Sequence, residues 1–451
     1  MNNIENSIKL HITKYNDMLH GSEDHCIGIL NDNIIVCGGF CSGLNTVQTP
    51  QILKNKVNPK TNYTRGFIDK IFCYSIKDNT WKKIGNIPIN PRQLASSIVL
   101  GDKMYIWGGF SYTPLTNNEL EEYKIKNIPL PSKKDIYSYA DGFYLTYNDE
   151  QIKYSNCPYL PFPLVGTGIV KYEKTKTIYF VNGCIYDSKS FNTHIIAPYT
   201  NIPIGKSFFS MKYDDYNNII PNSIEFINNF PGSPRLNSVV TIIDDFIYVI
   251  GGVNTTKLIN NNRGYNEYTY HNIIDNWKYD ILNNKWKQIE NTPIPICNMG
   301  SVLYKNRYIL LFGGLKFNTT YNLDNLDNNC IVNTNTIKWN FKQLKYNGIS
   351  SIENKSITNN YQHQYNWYFS NITIIYDTVT NNFEKLDLEL PININNPITI
   401  SHTDNGYDSI YIVGGEGNPI LINNVYYGNC LSIMLKINIT CENFTNIDAD
   451  N

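Results

Sequence analysis

The sequence predicts an all-β chain folded as a six-bladed β-propeller whose last blade is closed by an N-terminal strand. Three observations lead there: an apolar strand ending in Gly-Gly recurs six times, the composition disfavours helices, and a spare strand precedes the first repeat. Ala is scarce among the 451 residues, while β-branched and aromatic residues abound, 35 Tyr and 19 Phe among them. Such side chains lose rotamer freedom in a helix and pack well on a pleated surface. Asn, Ile, Lys and Tyr are heavily used, as an AT-rich genome encodes.

In order, the repeats read IIVCGGF ending at Phe40, MYIWGGF at Phe110, IYFVNGC at Cys184, IYVIGGV at Val253, ILLFGGL at Leu315 and IYIVGGE at Glu416. Their pairs are Gly38-Gly39, Gly108-Gly109, Asn182-Gly183, Gly251-Gly252, Gly313-Gly314 and Gly414-Gly415, and the second glycines lie 70, 74, 69, 62 and 101 residues apart. An apolar run and a polar turn precede each copy, as in SSIVLGDKMYIWGG, which reads strand, tight turn, strand. In that copy Tyr105 and Trp107 should face one side of the sheet and Met104 and Ile106 the other. A second hairpin follows downstream. Tyr74 precedes Trp81, Tyr279 precedes Trp286 and Tyr376 precedes Phe383, each by seven residues across an Asp/Asn-rich turn. Tyr147 and Tyr154 keep that spacing and are read as the second blade's pair. Two hairpins make a four-stranded antiparallel sheet that cannot bury both faces alone, so six of them pack radially against one another.

A blade with Gly-Gly after its second strand and a spaced Tyr and Trp later resembles the kelch repeat. The resemblance runs from about residue 25 to 437 and is weakest in the third copy, where Asn182 replaces a glycine and the later pair is missing. It implies a single kelch-type propeller over residues 1–440. The blades are expected at 25–92, 93–164, 165–235, 236–297, 298–396 and 397–440, followed by a tail at 441–451. CLSIMLKI, from Cys430, is read as the third strand of the sixth blade. The N-terminal strand at 7–15 is its fourth, which removes an otherwise open edge.

Strands of a blade are lettered a to d from the central channel outward. Antiparallel order then puts the d–a and b–c connections on one face and the short a–b and c–d turns on the other. The b–c connections are long: 40–66, 110–135, 185–206, 253–272 and 315 to about 370. Long loops on a rigid scaffold are where binding usually resides, so Phe110, where one begins, is a candidate partner-binding residue. On the same face, INPRQLASS and FPGSPRLNS place Arg92 and Arg235 at d–a connections. They are read either as carboxylate-binding groups at the channel mouth or as structural side chains paired within the ring. Glu416 falls on this face as well, whereas His402, in TISHTDNG, suits an ordinary exposed turn.

The balance of 38 basic against 39 acidic residues gives a net charge of -1, which removes the broad electrostatic case for a nucleic-acid or anionic-membrane partner. No apolar run approaches the ~18 residues of a membrane helix, and no basic and apolar leader opens the chain. A soluble, intracellular protein is expected. The ten cysteines show no zinc-like spacing and are read as free thiols. Neither a phosphate loop nor a dinucleotide fingerprint appears, and no cofactor or metal is expected. Six Gly-Gly pairs in equivalent places are architecture, since a phosphate cradle needs its glycines at a helix N-terminus.

Two enzyme families on this scaffold bear comparison. The two His, two Tyr and a Cys of a galactose-oxidase-like copper site cannot be assembled from these loops. FPGSPR and GGE are similar to stretches of the sialic-acid (N-acetylneuraminate) mutarotases, which implies Arg235 as a carboxylate clamp and Glu416 as an acid/base group. The favoured expectation is nonetheless a non-catalytic kelch propeller that binds a protein partner through its long-loop face. Many kelch proteins carry further domains that recruit a ubiquitin ligase, for which this chain, whose repeats begin almost at residue 1, is read as leaving no room.

Overall fold

A computed structural model describes residues 8–41, 66–111, 121, 125, 137–187, 190–198, 200–257, 268–295, 297–318, 366–404, 407–422 and 425–441. Within them, six antiparallel sheets form the blades of a β-propeller. The second blade is representative: strands a to d are Gln93–Leu100, Lys103–Ser111, Gly142–Asn148 and Gln151–Asn156. The third blade has the shortest outer strand, Glu225–Phe226.

Strand alternation builds the core. Tyr105 and Trp107 pack toward the third blade against Ile178 and Phe180. Met104 and Ile106, on the other side of the same strand, pack toward the first blade against Ile35 and Cys37. Each of the six interfaces between consecutive blades has one such apolar cluster. Trp107 is buried without an unsatisfied donor, because its Nε1 donates to the Pro158 carbonyl at 2.8 Å.

The spaced Tyr and Trp form a lock around the c–d turn. Tyr74, Tyr279 and Tyr376 each donate their hydroxyl to the side chain of Asn79, Asn284 or Asn381, at 2.6, 2.6 and 2.8 Å. Each of these asparagines holds a left-handed φ of 52–54°, a conformation Asn tolerates better than most residues. Across the turn the rings of Tyr74 and Trp81, Tyr279 and Trp286, and Tyr376 and Phe383 lie 5.1, 5.0 and 4.5 Å apart. Trp81 and Trp286 reach onward, donating to the carbonyls of Asn16 and Asn228.

Tyr147 and Tyr154 do not form this lock. The second blade's c–d turn is tighter, with Asn148 opposite Gln151, so Tyr154 lies opposite Leu145 and Tyr147 opposite Ile152. Losing two turn residues shifts the register, and an equal spacing in sequence no longer means an equal place in the sheet. Asn182, where the third repeat lacks a glycine, adopts φ 61° and donates its side-chain amide to the Gly205 carbonyl at 2.9 Å.

Closure follows the expected route. The sixth blade orders Ile398–Asp404, Tyr407–Val413, Met434–Cys441 and, outermost, Ile8–Lys14. One detail differs: Cys430 ends a separate strand, Val425–Cys430, and the third blade strand begins only at Met434. Leu431 to Ile433 are taken up by the turn across the Gly pair, with Leu431 N–H bonded to Gly415 O and Gly414 N–H to Ile433 O.

On the Gly-Gly face every b–c connection contains a two-stranded ribbon, for example Val253–Lys257 with Tyr268–Asn272 and Leu315–Asn318 with Asn366–Phe369. The bases of the first five ribbons share a seventh apolar cluster containing Phe110, Val165, Cys184, Leu236, Val253 and Leu315. The middles of the longest connections, such as 42–65 and 319–365, lie outside the described residues.

Deleting residues 1–14 removes the partner of Met434–Cys441 and bares a long apolar edge. Equilibrium denaturation should show the loss of several kcal/mol, with aggregation on heating; a variant as stable as the full chain would contradict closure by this strand.

Candidate functional site

The channel mouth on the Gly-Gly face is built by the same backbone step in all six blades. Just before strand a, or at its second residue in the second blade, Asp24, Leu94, Gly166, Asn237, Asn298 and Asn396 each take a left-handed φ between 48° and 61°. At four of the six steps this directs a backbone N–H onto the carbonyl of the preceding collar residue. Leu94 N–H donates to Asp24 O, Gly166 to Leu94, Asn237 to Gly166, and Asn396 to Asn298, all at 3.0–3.1 Å. Asn and Gly suit this conformation; Leu94 is the costly member.

Inside this collar lies a cavity of about 170 Å³, lined by collar residues and by His25, Thr167 and Ser238 among others. No Lys or Arg is among its lining residues. The buried Nε2 of His25 and Oδ1 of Asn298 have no hydrogen-bond partner among the described residues.

Arg92 and Arg235 do not reach this cavity. Arg235 is fully buried and spends five N–H groups internally: Nε on Ser233 O at 3.0 Å, Nη1 on the carbonyls of Gly251 and Asp275 at 2.9 Å, and Nη2 on both Asp275 carboxylate oxygens at 2.8 and 2.7 Å. Its guanidinium lies 4.7 Å from the Phe230 ring. Arg92 repeats the arrangement with Asn90 O, Gly108 O and Asp141, and stacks 3.8 Å from the Tyr139 ring. The structural alternative for these residues is the one the geometry follows. The backbone carbonyls of Arg92 and Arg235 accept the N–H of Gly39 and Gly183 from the preceding blade. Each arginine therefore fixes its own blade's Gly pair while its carbonyl holds the previous one.

Phe110 is likewise internal, 1 % exposed, stacked 4.9 Å from Tyr186 and edge-on to Phe191 at 5.4 Å. It anchors the ribbons and offers no surface to a partner. His402 bonds Asp32, in the a–b turn of the first blade, at 3.2 Å, on the face away from the mouth.

Glu416 is different. It sits half-buried at the base of the last ribbon, where Asn395 donates to its Oε2 at 3.0 Å and Glu23 shares a hydrogen bond with it. Burial, with the Asp24 charge adding to it, pushes its carboxyl up to about 7. Glu23 is raised well above the usual carboxylate range by burial and by Glu416, and Asp24, which accepts from the Asn396 side chain, is raised to about 6 by burial. His25, next in the chain, is pushed down to about 3 by burial and stays neutral, so it supplies no compensating charge. The sequence offered Glu416 alone; Glu23 and Asp24 carry no motif, and only ring closure brings them beside it.

Among the described residues no group of three His, Cys, Asp or Glu side chains is placed to hold a metal ion, and no helix is long and apolar enough to cross a membrane. No protein-family model matches the chain, and no curated protein does. Among solved structures the chain is similar to that of YjhT, with a TM-score of 0.52 and 13% identity over 95% of this chain and 99% of that one. At that identity the likeness is one of fold: this chain has the propeller architecture.

Replacing Arg235 with Ala strands the Asp275 carboxylate and should cost roughly 3–5 kcal/mol in chemical denaturation. Arg235→Lys should recover less than half of that, because an ammonium cannot reproduce the five-donor fork. A variant of unchanged stability would return Arg235 to the list of ligand groups.

Proposed function

We propose that this chain is a non-catalytic binding propeller of the kelch type, whose partner is a protein engaged by the face from which the b–c ribbons rise. The observation that carries this reading is the concentration of long connections on that one face, each held at its base by a paired ribbon and a shared apolar cluster. A rigid base carrying long, polar, sequence-diverse connections is the arrangement of a recognition surface. The arginines that a carboxylate-binding pocket would need are committed inside the ring.

A sialic-acid mutarotase-like enzyme is the second reading, favoured by one feature: a carboxyl titrating near neutrality beside the channel suits a general acid or base. Arg235, the clamp that reading requires, has its donors spent.

Replacing the connections 42–65 and 319–365 with short Gly/Ser linkers should leave the melting temperature within a few degrees of the full chain and abolish capture of a reproducible cellular protein partner. If the full chain instead accelerates α-to-β conversion of N-acetylneuraminate above the buffer rate by NMR, and Glu416→Gln removes the acceleration, the enzyme reading replaces this one.

A further inference from the structure

The upper layers of the ring are six-fold in backbone but not in charge. Three sets of equivalent positions stack there. The residue before the collar is Glu23, Gln93, Val165, Leu236, Cys297 or Asn395. The collar residue is Asp24, Leu94, Gly166, Asn237, Asn298 or Asn396. The residue after each Gly pair is Phe40, Phe110, Cys184, Val253, Leu315 or Glu416. Backbone bridges tie the first set to the third within every blade, Glu23 with Phe40 and Asn395 with Glu416 among them. The acids of all three sets are Glu23, Asp24 and Glu416, and they meet at one seam, between the sixth and first blades.

That seam is also where the ring is closed by hydrogen bonds to the connection that leads from the N-terminal strand into the first blade. Gly415 N–H donates to Ser22 O at 2.9 Å, Ser22 N–H to Leu431 O at 3.1 Å and Met18 N–H to Ser432 O at 2.7 Å. At the corresponding place the second and fourth blades have an arginine, and here the acceptor carbonyl belongs to Ser22. The other titratable groups packed around the three acids are His25 on the same connection, Cys41 on the first ribbon and Cys430 on the last. None of these supplies a positive charge, since His25 is held neutral.

We propose that the seam between the sixth and first blades is a proton-controlled latch, shut while Glu23, Asp24 and Glu416 share protons and loosened at the channel mouth as they ionise. Desolvated like charges cannot all be carried side by side. Once all three ionise, repulsion acts directly across the Ser22–Gly415 bond. Because these carboxyls are raised above their unfolded values near 4, their stabilisation is complete below that pH. It is lost as pH rises through 6 and 7. The inference is independent of what the propeller binds.

Amide hydrogen exchange tests it, with two seams compared in one sample so that the intrinsic pH dependence of exchange cancels. From pH 6 to 8, opening at Ser22, Gly415 and Leu431 should rise about tenfold or more relative to Gly109 at the seam between the second and third blades, a tenfold change per pH unit being the ceiling for each group. Glu416→Gln should cut that rise to less than about threefold. Asp24→Asn serves as the second variant, since Asn occupies three other collar positions and fits the left-handed backbone. A ratio that stays constant with pH in the wild-type chain overturns the latch, as does an undiminished rise in both variants. Should neither variant fold, the wild-type ratio alone decides.

Discussion

The ring depends on one contact repeated around it: the N–H of a second glycine donating to a carbonyl on the connection that leads into the next blade. Gly39 donates to Arg92, Gly109 to Leu164, Gly183 to Arg235, Gly314 to Ile394 and Gly415 to Ser22, at 2.7–3.0 Å. Neighbouring segments come so close there that a Cβ on Gly108 would clash with the Leu164 carbonyl. The glycines also carry φ values that other residues rarely adopt, 70° at Gly108 and 82° at Gly109. With the blades this close, the apolar clusters between them can pack densely, and the collar, the ribbons and the cavity all inherit their positions from that spacing.

Much of this was legible in the sequence because it rests on local periodicity. An alternating apolar strand that ends in Gly-Gly declares itself, and so do the Tyr and Trp of a four-residue c–d turn. The spare N-terminal strand could be placed because an open edge needs a partner. What sequence spacing could not resolve was anything set by register or by distant partners. Tyr147 and Tyr154 matched in number but not in pairing, since a tighter turn moved one strand past the other. Cys430 fell on a ribbon because three residues are consumed in crossing the Gly pair. Arg92 and Arg235 drew attention as charged residues near a pore, yet their partners, Asp141 and Asp275, lie 49 and 40 residues away in sequence. Phe110 was legible as the start of a connection and illegible as a buried anchor.

The candidate site was the least readable part, for the same reason. Glu23 and Glu416 stand at opposite ends of the chain, and only closure of the ring sets them together. Near-identical backbones then take different chemistry from single substitutions: three apolar pairs, Val165 with Cys184, Leu236 with Val253 and Cys297 with Leu315, fill the upper layer in the third to fifth blades, while Glu23, Asn395 and Glu416 occupy the closing seam. A repeat fold can hold a local electrostatic feature without disturbing its architecture, provided the backbone contacts are kept.

The central claim is that the Gly-Gly pairs are interblade staples and not ligand loops. It is tested most directly by comparing Gly108→Ala with Gly101→Ala in equilibrium denaturation. Both glycines have positive φ, 70° and 55°, but an added methyl at Gly108 meets the Leu164 carbonyl on the connection into the third blade, whereas at Gly101 it meets the flexible side chain of Asn217. Gly101→Ala should cost about 1–2 kcal/mol, the expense of a left-handed Ala, and Gly108→Ala at least about 2 kcal/mol more, as the strand and that connection are pushed apart. Equal costs at the two positions would contradict the account.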